Sequence, residues 1–186
     1  MEKILNKINS SAKIGEIVSK RGVIGLFEAS MRNIASTTND MHDFSNVLRG
    51  LGGKEIRIVI FGLIQLMIIQ QDAAKGLYEC LGKKLSFLGF NCGVIWDLRN
   101  RTVGHPLGAK VRRENILQNV GGHKFVSGIL TIADGSSGVV HVESIYQDGT
   151  REGHGYAVSQ NYVGQIREIV GHLRALYEML DGPEPV

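Results

Sequence analysis

Residues 54–81 read KEIRIVIFGLIQLMIIQQDAAKGLYECL and form the longest helical segment that the sequence predicts. The first half is apolar on nearly every side of a helix, and the second half keeps an apolar stripe at helical spacing. A helix that is apolar all round is usually buried at the centre of a bundle or at a subunit interface. The apolar run 58–69 is short for a membrane span and contains Gln65, so a buried central helix explains it better.

Amphipathic helices are predicted on the N-terminal side of this central segment. Apolar spacing predicts one helix over residues 4–20, with Gly22 as its C-terminal cap. The pattern resumes at Val23, and the polar cluster 36–40 is predicted to interrupt it and to start another helix. The N-terminal half is therefore expected to be entirely helical.

Two further helices are predicted on the C-terminal side. One covers residues 91 to about 103, and the last runs from about Ser159, its expected N-cap, to Leu180. Asp181, Gly182 and Pro183 supply the stop signal of the last helix. Both helices are expected to pack against the bundle, and the last could instead pair across a dimer.

Between those two helices the pattern changes to that of strands, over residues 125–132, 139–147 and 150–158. Asp148-Gly149 is a strong signal for a tight hairpin. Alternation places Val140, Val142 and Tyr146 on one face of the middle strand and His141 on the other. The sequence thus predicts a mainly α fold, a helical bundle with a small antiparallel β-meander inserted before the C-terminal helix.

Composition favours one domain over residues 1–186, with a helical core of about 1–120, a β appendage of about 123–158 and the C-terminal helix 159–181. The net charge of +3 permits an acidic partner without requiring one. Cys80 and Cys92 lie in apolar surroundings and are expected to be reduced, buried thiols. The N-terminus does not build the apolar core of a secretory signal, so we expect a cytoplasmic protein without membrane association.

Chemistry is concentrated in residues 96–106, which read W-D-L-R-N-R-T-V-G-H-P. The guanidinium group of Arg99 is always charged and carries several N–H donors. Asn100 adds an amide, and a histidine such as His105 ordinarily titrates near neutral pH. Pro106 keeps His105 out of the α region, so His105 should lie just past the helix end and point into a cleft. Trp96 either packs against the core or flanks this site.

A basic stretch adjoins the motif. It contains Arg101, Lys110, Arg112 and Arg113. One interpretation is a solvated loop, and the other is an electrostatic rim that binds the phosphates of a nucleic acid.

The arrangement of Arg99, Asn100 and His105 resembles the signature of the HEPN superfamily, in which an Arg is followed by a polar residue such as Asn, Asp or His and then, after a gap of four to six residues, by a His. The resemblance implies a metal-independent and cofactor-free endoribonuclease of the toxin or phage-defence type, acting on RNA as a homodimer. It also implies that Arg99 binds the RNA phosphate and stabilises its charge, that Asn100 orients His105 or the phosphate, and that His105 is a general acid or base. Toxins of this family are often neutralised by a nucleotidyltransferase antitoxin. The β-meander is not part of the minimal family pattern.

Two other interpretations remain open. The protein could be a non-catalytic HEPN-like module that binds RNA or a protein partner through the same basic rim. It could also be an unrelated α+β regulatory protein in which His105 caps the helix and Arg99 pairs with Asp97 or with a helix end. The remaining histidines, His123, His141, His154 and His172, have no typical ligand spacing, so no metal site is expected.

Overall fold

The computed structural model describes residues 1–42, 47, 51, 53–85, 89–102, 125–134, 138–146 and 149–182. This part of the chain is mainly helical and has a small antiparallel sheet before the C-terminal helix, which confirms the predicted fold class. The helices are α1 (Glu2–Ser10), α2 (Ala12–Lys20), α3 (Ile24–His42), α4 (Gly53–Cys80), α5 (Phe90–Thr102) and α6 (Val158–Asp181). The strands are β1 (Phe125–Asp134), β2 (Val139–Tyr146) and β3 (Arg151–Ala157).

The first helix of the prediction is wrong, because residues 4–20 form two helices that are separated at Ser11. Ser11 has extended backbone angles (φ −73°, ψ 114°), and its hydroxyl accepts a hydrogen bond from the backbone N–H of Ile14 at 3.1 Å. This is the N-cap arrangement that serine favours. Apolar residues on both sides of the break are buried in one core, so their spacing did not reveal it.

The predicted interruption at residues 36–40 is also wrong, since α3 continues through it to His42. The hydroxyl of Thr37 donates to the carbonyl of Asn33 at 2.6 Å, and that of Thr38 donates to the carbonyl of Ile34 at 2.7 Å. Bonds of this kind, back to the preceding turn, satisfy the hydroxyls without ending the helix. Thr37 also faces the core and is almost completely buried.

Helix α4 is the long central helix that the sequence predicts, and it packs along α3. By length and composition its segment Glu55–Cys80, 26 residues long, could cross a membrane, and no other helix in the described ranges could. Half of that segment is buried within the protein itself. Ile60, Ile64 and Met67 are completely enclosed.

Three buried glutamines join the helices at the centre of the molecule. Gln165 Nε2 in α6 donates to the carbonyl of Met67 at 2.9 Å and to Gln70 Oε1 at 3.0 Å. Gln71 Nε2 donates to Gln165 Oε1 at 2.7 Å and to the carbonyl of Cys92 in α5 at 3.1 Å. Because buried amides are costly when unpaired, this network fixes the positions of α4, α5 and α6 relative to one another.

The sheet has the strand order β1-β2-β3, and both pairs are antiparallel. Val140, Val142 and Tyr146 are buried and His141 is exposed, as the alternation predicts. Gly149 has φ +83°, which fits the predicted tight hairpin, and Asp148 lies outside the described residues. The buried face packs with α4 and α5 in one apolar cluster, so the helices supply the cover that a small sheet needs.

Helix α6 ends at Asp181, as predicted, but its predicted N-cap is wrong. The helix begins at Val158, Ala157 is in the N-cap position, and no side chain caps it there. Ser159 is therefore the second residue of the helix.

Gly22 (φ +66°) follows the end of α2 in a left-handed conformation, which fits its prediction as a cap.

Candidate functional site

Helix α5 carries the motif, and its N-terminus is held by a carboxylate from α6. Glu168 Oε1 accepts hydrogen bonds from the backbone N–H of Asn91 at 2.9 Å and from Asn91 Nδ2 at 2.6 Å. Glu168 Oε2 accepts from the backbone N–H of Cys92 at 3.2 Å. Burial by itself raises the pKa of Glu168, but these bonds outweigh it and lower the pKa below its usual value. A negative charge at this end of α5 also interacts favourably with the helix dipole.

The rotation of the helix separates the motif residues into two groups. Each residue of an α-helix turns by about 100° from the one before, so positions three or four apart share a face. Trp96, Arg99 and Asn100 have this spacing, and so do Asp97 and Arg101. Arg99 and Arg101 therefore point to different sides of α5, although they are close in sequence.

Arg101 and Asp97 face the β-meander. Arg101 Nε donates to Asp97 Oδ2 at 2.8 Å, and the two side chains are only 12% and 10% exposed. Arg101 Nη1 also donates to Ser144 Oγ at 2.9 Å and to the hydroxyl of Tyr146 at 3.3 Å. The hydroxyl of Tyr156 donates to Asp97 Oδ2 at 2.7 Å. These contacts attach β2 and β3 to the motif helix.

His154 completes this network in its neutral form. Its Nε2 lies 3.2 Å from Arg101 Nη1 and 3.5 Å from Glu152 Oε2, and these neighbours favour opposite charge states of the ring. Burial and then the charge of Arg101 lower the pKa of His154, so the uncharged ring accepts a hydrogen bond from Arg101. Glu152 Oε2 accepts a hydrogen bond from the hydroxyl of Tyr146 at 2.8 Å. Burial and the carboxylate of Asp97 raise the pKa of Tyr156, which therefore stays protonated and remains a donor.

The other side of α5 presents Trp96, Arg99 and Asn100. The guanidinium carbon of Arg99 lies 5.0 Å from the centre of the Trp96 ring, and Lys75 Nζ in α4 lies 5.9 Å from it. Trp96 is 38% exposed, which fits the predicted position beside the candidate site better than the predicted position in the core. Arg99 and Asn100 are themselves partly exposed.

Two polar atoms on this side have no protein partner within the described ranges. Arg99 Nε and Asn100 Oδ1 are both buried, and neither makes a hydrogen bond there. A buried polar atom without a partner costs about 1–3 kcal/mol of stability, so native proteins rarely retain one without a reason. Two such atoms on adjacent motif residues make this end of α5 a candidate binding site for a group that can both donate and accept hydrogen bonds.

The structure describes three of the seven predicted site residues and places them in two groups. Arg99 and Asn100 lie together beside Trp96, whereas Arg101 lies in the network with the sheet. The other predicted residues, His105, Lys110, Arg112 and Arg113, lie outside the described residues. Their predicted roles, and that of Arg101 in binding substrate, stay predictions.

Sequence reasoning did not find the network around Arg101, although two signals were present. The spacing of Asp97 and Arg101 is that of an ion pair along a helix. Glu152, His154 and Tyr156 alternate along one strand and therefore share a face of the sheet. The missing information was that this face meets α5.

No group of three metal-ligating side chains comes together in the part of the chain that the structure describes. Cys80 and Cys92 are free and buried, as predicted. Burial, followed by the hydrogen bond to Glu168, raises the pKa of Cys92, so its sulfur remains a thiol and a poor nucleophile.

Comparisons of the chain with protein-family models, with curated proteins and with solved structures found no match.

Proposed function

We propose that the protein is a metal-independent endoribonuclease of the HEPN toxin or defence type. The observation that supports this most is the pair of buried atoms without described partners, Arg99 Nε and Asn100 Oδ1. They belong to two of the three residues that carry the resemblance to that superfamily. A phosphodiester group with a neighbouring hydroxyl provides the acceptor and the donor that these atoms lack.

In the proposed reaction, the 2′-hydroxyl oxygen of RNA attacks the adjacent phosphorus, and the bond from phosphorus to the 5′-oxygen of the next nucleotide breaks. The products are a 2′,3′-cyclic phosphate and a free 5′-hydroxyl. His105 takes the proton of the 2′-hydroxyl or gives one to the leaving 5′-oxygen. Arg99 binds the non-bridging oxygens and stabilises the charge that develops on them, and Asn100 orients His105 or the phosphate.

This chemistry needs two proton transfers, and each chain supplies one motif histidine. We therefore propose a homodimer in which two motifs share one cleft. Sedimentation at micromolar concentration tests this part, and a strictly monomeric protein would contradict it. The family resemblance further suggests a nucleotidyltransferase-type antitoxin as a partner, and the reduced thiols suit a cytoplasmic location.

The basic rim is proposed to bind the RNA backbone through Lys110, Arg112 and Arg113. Arg101 was predicted to belong to the same rim. Its Nε and Nη1 atoms instead donate to groups of the protein itself. These contacts support a role for Arg101 in holding α5 against the sheet.

The test is RNA cleavage in EDTA by the wild-type protein, Arg99→Ala and His105→Ala, with a pool of structured RNAs as substrate. Lys13→Ala is the matched control, because Lys13 is an exposed cation on α2. The proposal expects cleavage by the wild type and the control only, with cyclic-phosphate ends. Equal RNA binding by all four proteins without any turnover would contradict it and favour a non-catalytic RNA-binding module.

A further inference from the structure

Cations from two different helices lie over the indole ring of Trp96. Trp96 is the single tryptophan of the chain, and more than a third of its surface is exposed. Arg99 comes from the same helix, one turn further on, and Lys75 comes from α4. An aromatic ring that serves only the core would pack against apolar side chains, whereas this ring is partly open to solvent and has two positive charges over it.

We propose that Trp96, Lys75 and Arg99 form a subsite for one nucleotide of a single-stranded RNA. The base stacks on the indole, and the cations bind the phosphate beside it. This inference rests on the proposed function, because it assigns the RNA substrate a position next to Arg99 and Asn100. It also assigns a role to Trp96 and Lys75, which are not among the three residues that carry the family resemblance.

The chemistry of the three side chains fits a nucleotide. Every base has a π-face that can stack on an aromatic ring, and positively charged groups along such rings follow the nucleic-acid backbone. When a base stacks, a cation that lay over the ring can move to the adjacent phosphate, and stacking is the stronger of the two contacts with the ring. A duplex does not offer its bases in this way, so the subsite selects single strands.

One neighbouring charge opposes the ligand. The carboxylate of Asp72 lies 3.7 Å from Lys75 Nζ, and the side chains of Asp72 and Lys75 are 64% and 33% exposed. This carboxylate repels a phosphate that approaches Lys75. Replacing Asp72 by Asn should therefore strengthen binding, which is a change opposite in sign to the loss expected from Lys75→Ala.

The experiment follows the fluorescence of the wild-type protein, which reports on Trp96 alone because the chain has no other tryptophan. The probe is a short oligothymidylate, which lacks the 2′-hydroxyl and therefore cannot be cleaved by the proposed reaction. A blunt DNA duplex and inorganic polyphosphate are the comparison ligands. We expect saturable quenching by the single strand and little quenching by either comparison ligand.

Binding of the same labelled oligonucleotide, measured by fluorescence polarisation, tests the individual residues. Trp96→Leu should weaken binding about tenfold, whereas Trp96→Phe retains an aromatic face and should bind nearly as well as wild type. Lys75→Ala should weaken binding and lower the slope of log affinity against log salt by about one. Lys13→Ala should change neither value. Thermal melting of each variant confirms that it is folded.

Several results would overturn the subsite. Quenching of equal size by polyphosphate would show that only phosphate is bound. Binding seen by polarisation without any change in Trp96 fluorescence would show that the nucleic acid binds elsewhere on the protein. A complete lack of binding would show that single-stranded nucleic acid is not a ligand of this site. If RNA is cleaved but Trp96 does not respond, the subsite fails and the proposed function stands. If the fluorescence of Trp96 changes but no RNA is cleaved, the subsite stands and the proposed ribonuclease function fails.

Discussion

Arg99 and Arg101 lie two residues apart on α5, and the structure predicts different consequences when each is replaced by Ala. Arg101→Ala removes the charged partner of Asp97, whose side chain is only 10% exposed. It also removes the donor to Ser144 and Tyr146. The loss of one partner from a buried ion pair costs about 3–5 kcal/mol, and we take about 3 kcal/mol because Tyr156 still donates to Asp97.

That free energy can be converted to a melting temperature. Unfolding entropy is about 2.1 cal/mol/K per residue, so about 3 kcal/mol in a chain of this length lowers Tm by about 8 °C. Arg99→Ala loses a cation–π contact of about 0.5–1 kcal/mol and also removes a buried donor without a described partner. The two effects oppose each other, so its Tm should stay within about 2 °C of the wild type.

The assay is thermal unfolding followed by circular dichroism at pH 7, with RNA cleavage measured on the same samples. We expect Arg99→Ala to keep its Tm and lose cleavage. Arg101→Ala should lose stability and keep part of its cleavage below its Tm. An equal drop in Tm for both variants would refute the reasoning, because Arg99 would then be a structural residue. An unchanged Tm for Arg101→Ala would refute its structural role and favour the predicted role of Arg101 in binding substrate.

Three further predictions test the contacts around α5. Gln165→Leu should lower the free energy of unfolding in urea by about 3 kcal/mol, because Gln71 and other buried groups lose their partners; a change below about 1 kcal/mol would contradict this. Glu168→Gln should cost about 1 kcal/mol in the same assay, since a neutral cap interacts less with the N-terminus of α5, and no change would mean that the charge is irrelevant. His154 has a lowered folded pKa, so the unfolded chain gains a proton more readily below about pH 6.5. The wild type should therefore lose stability between pH 7 and pH 5.5, and His154→Gln should lose less; equal losses would show that His154 is not responsible.

The elements with a regular apolar period could be predicted from the sequence. Helix α4, the motif helix and the three strands were placed to within about two residues of their observed ends, because their apolar patterns and flanking turn residues indicate where each element begins and ends. Ser11 and the threonines of α3 were misread for a common reason. Hydroxyl side chains can either cap a helix or bond back within it, and only the surrounding packing decides between these outcomes.

The candidate site could be predicted only in part. The spacing of Arg99, Asn100 and Arg101 placed them on one helix, but treating the cations as one cluster ignored the rotation of that helix. The network with the sheet joins Arg101 to residues more than 40 positions away, and local periodicity does not contain that pairing. The same holds for Lys75 and Trp96, which come together because α4 and α5 pack side by side.

The most direct test of the account compares two RNAs in EDTA. One is an all-ribonucleotide strand that contains a mapped cleavage site, and the other carries a single 2′-deoxynucleotide on the 5′ side of that site. We predict that the wild-type protein cleaves the first strand, leaves the second intact at that position, and forms a 2′,3′-cyclic phosphate. Cleavage of both strands at the same position, or of neither strand, would contradict it.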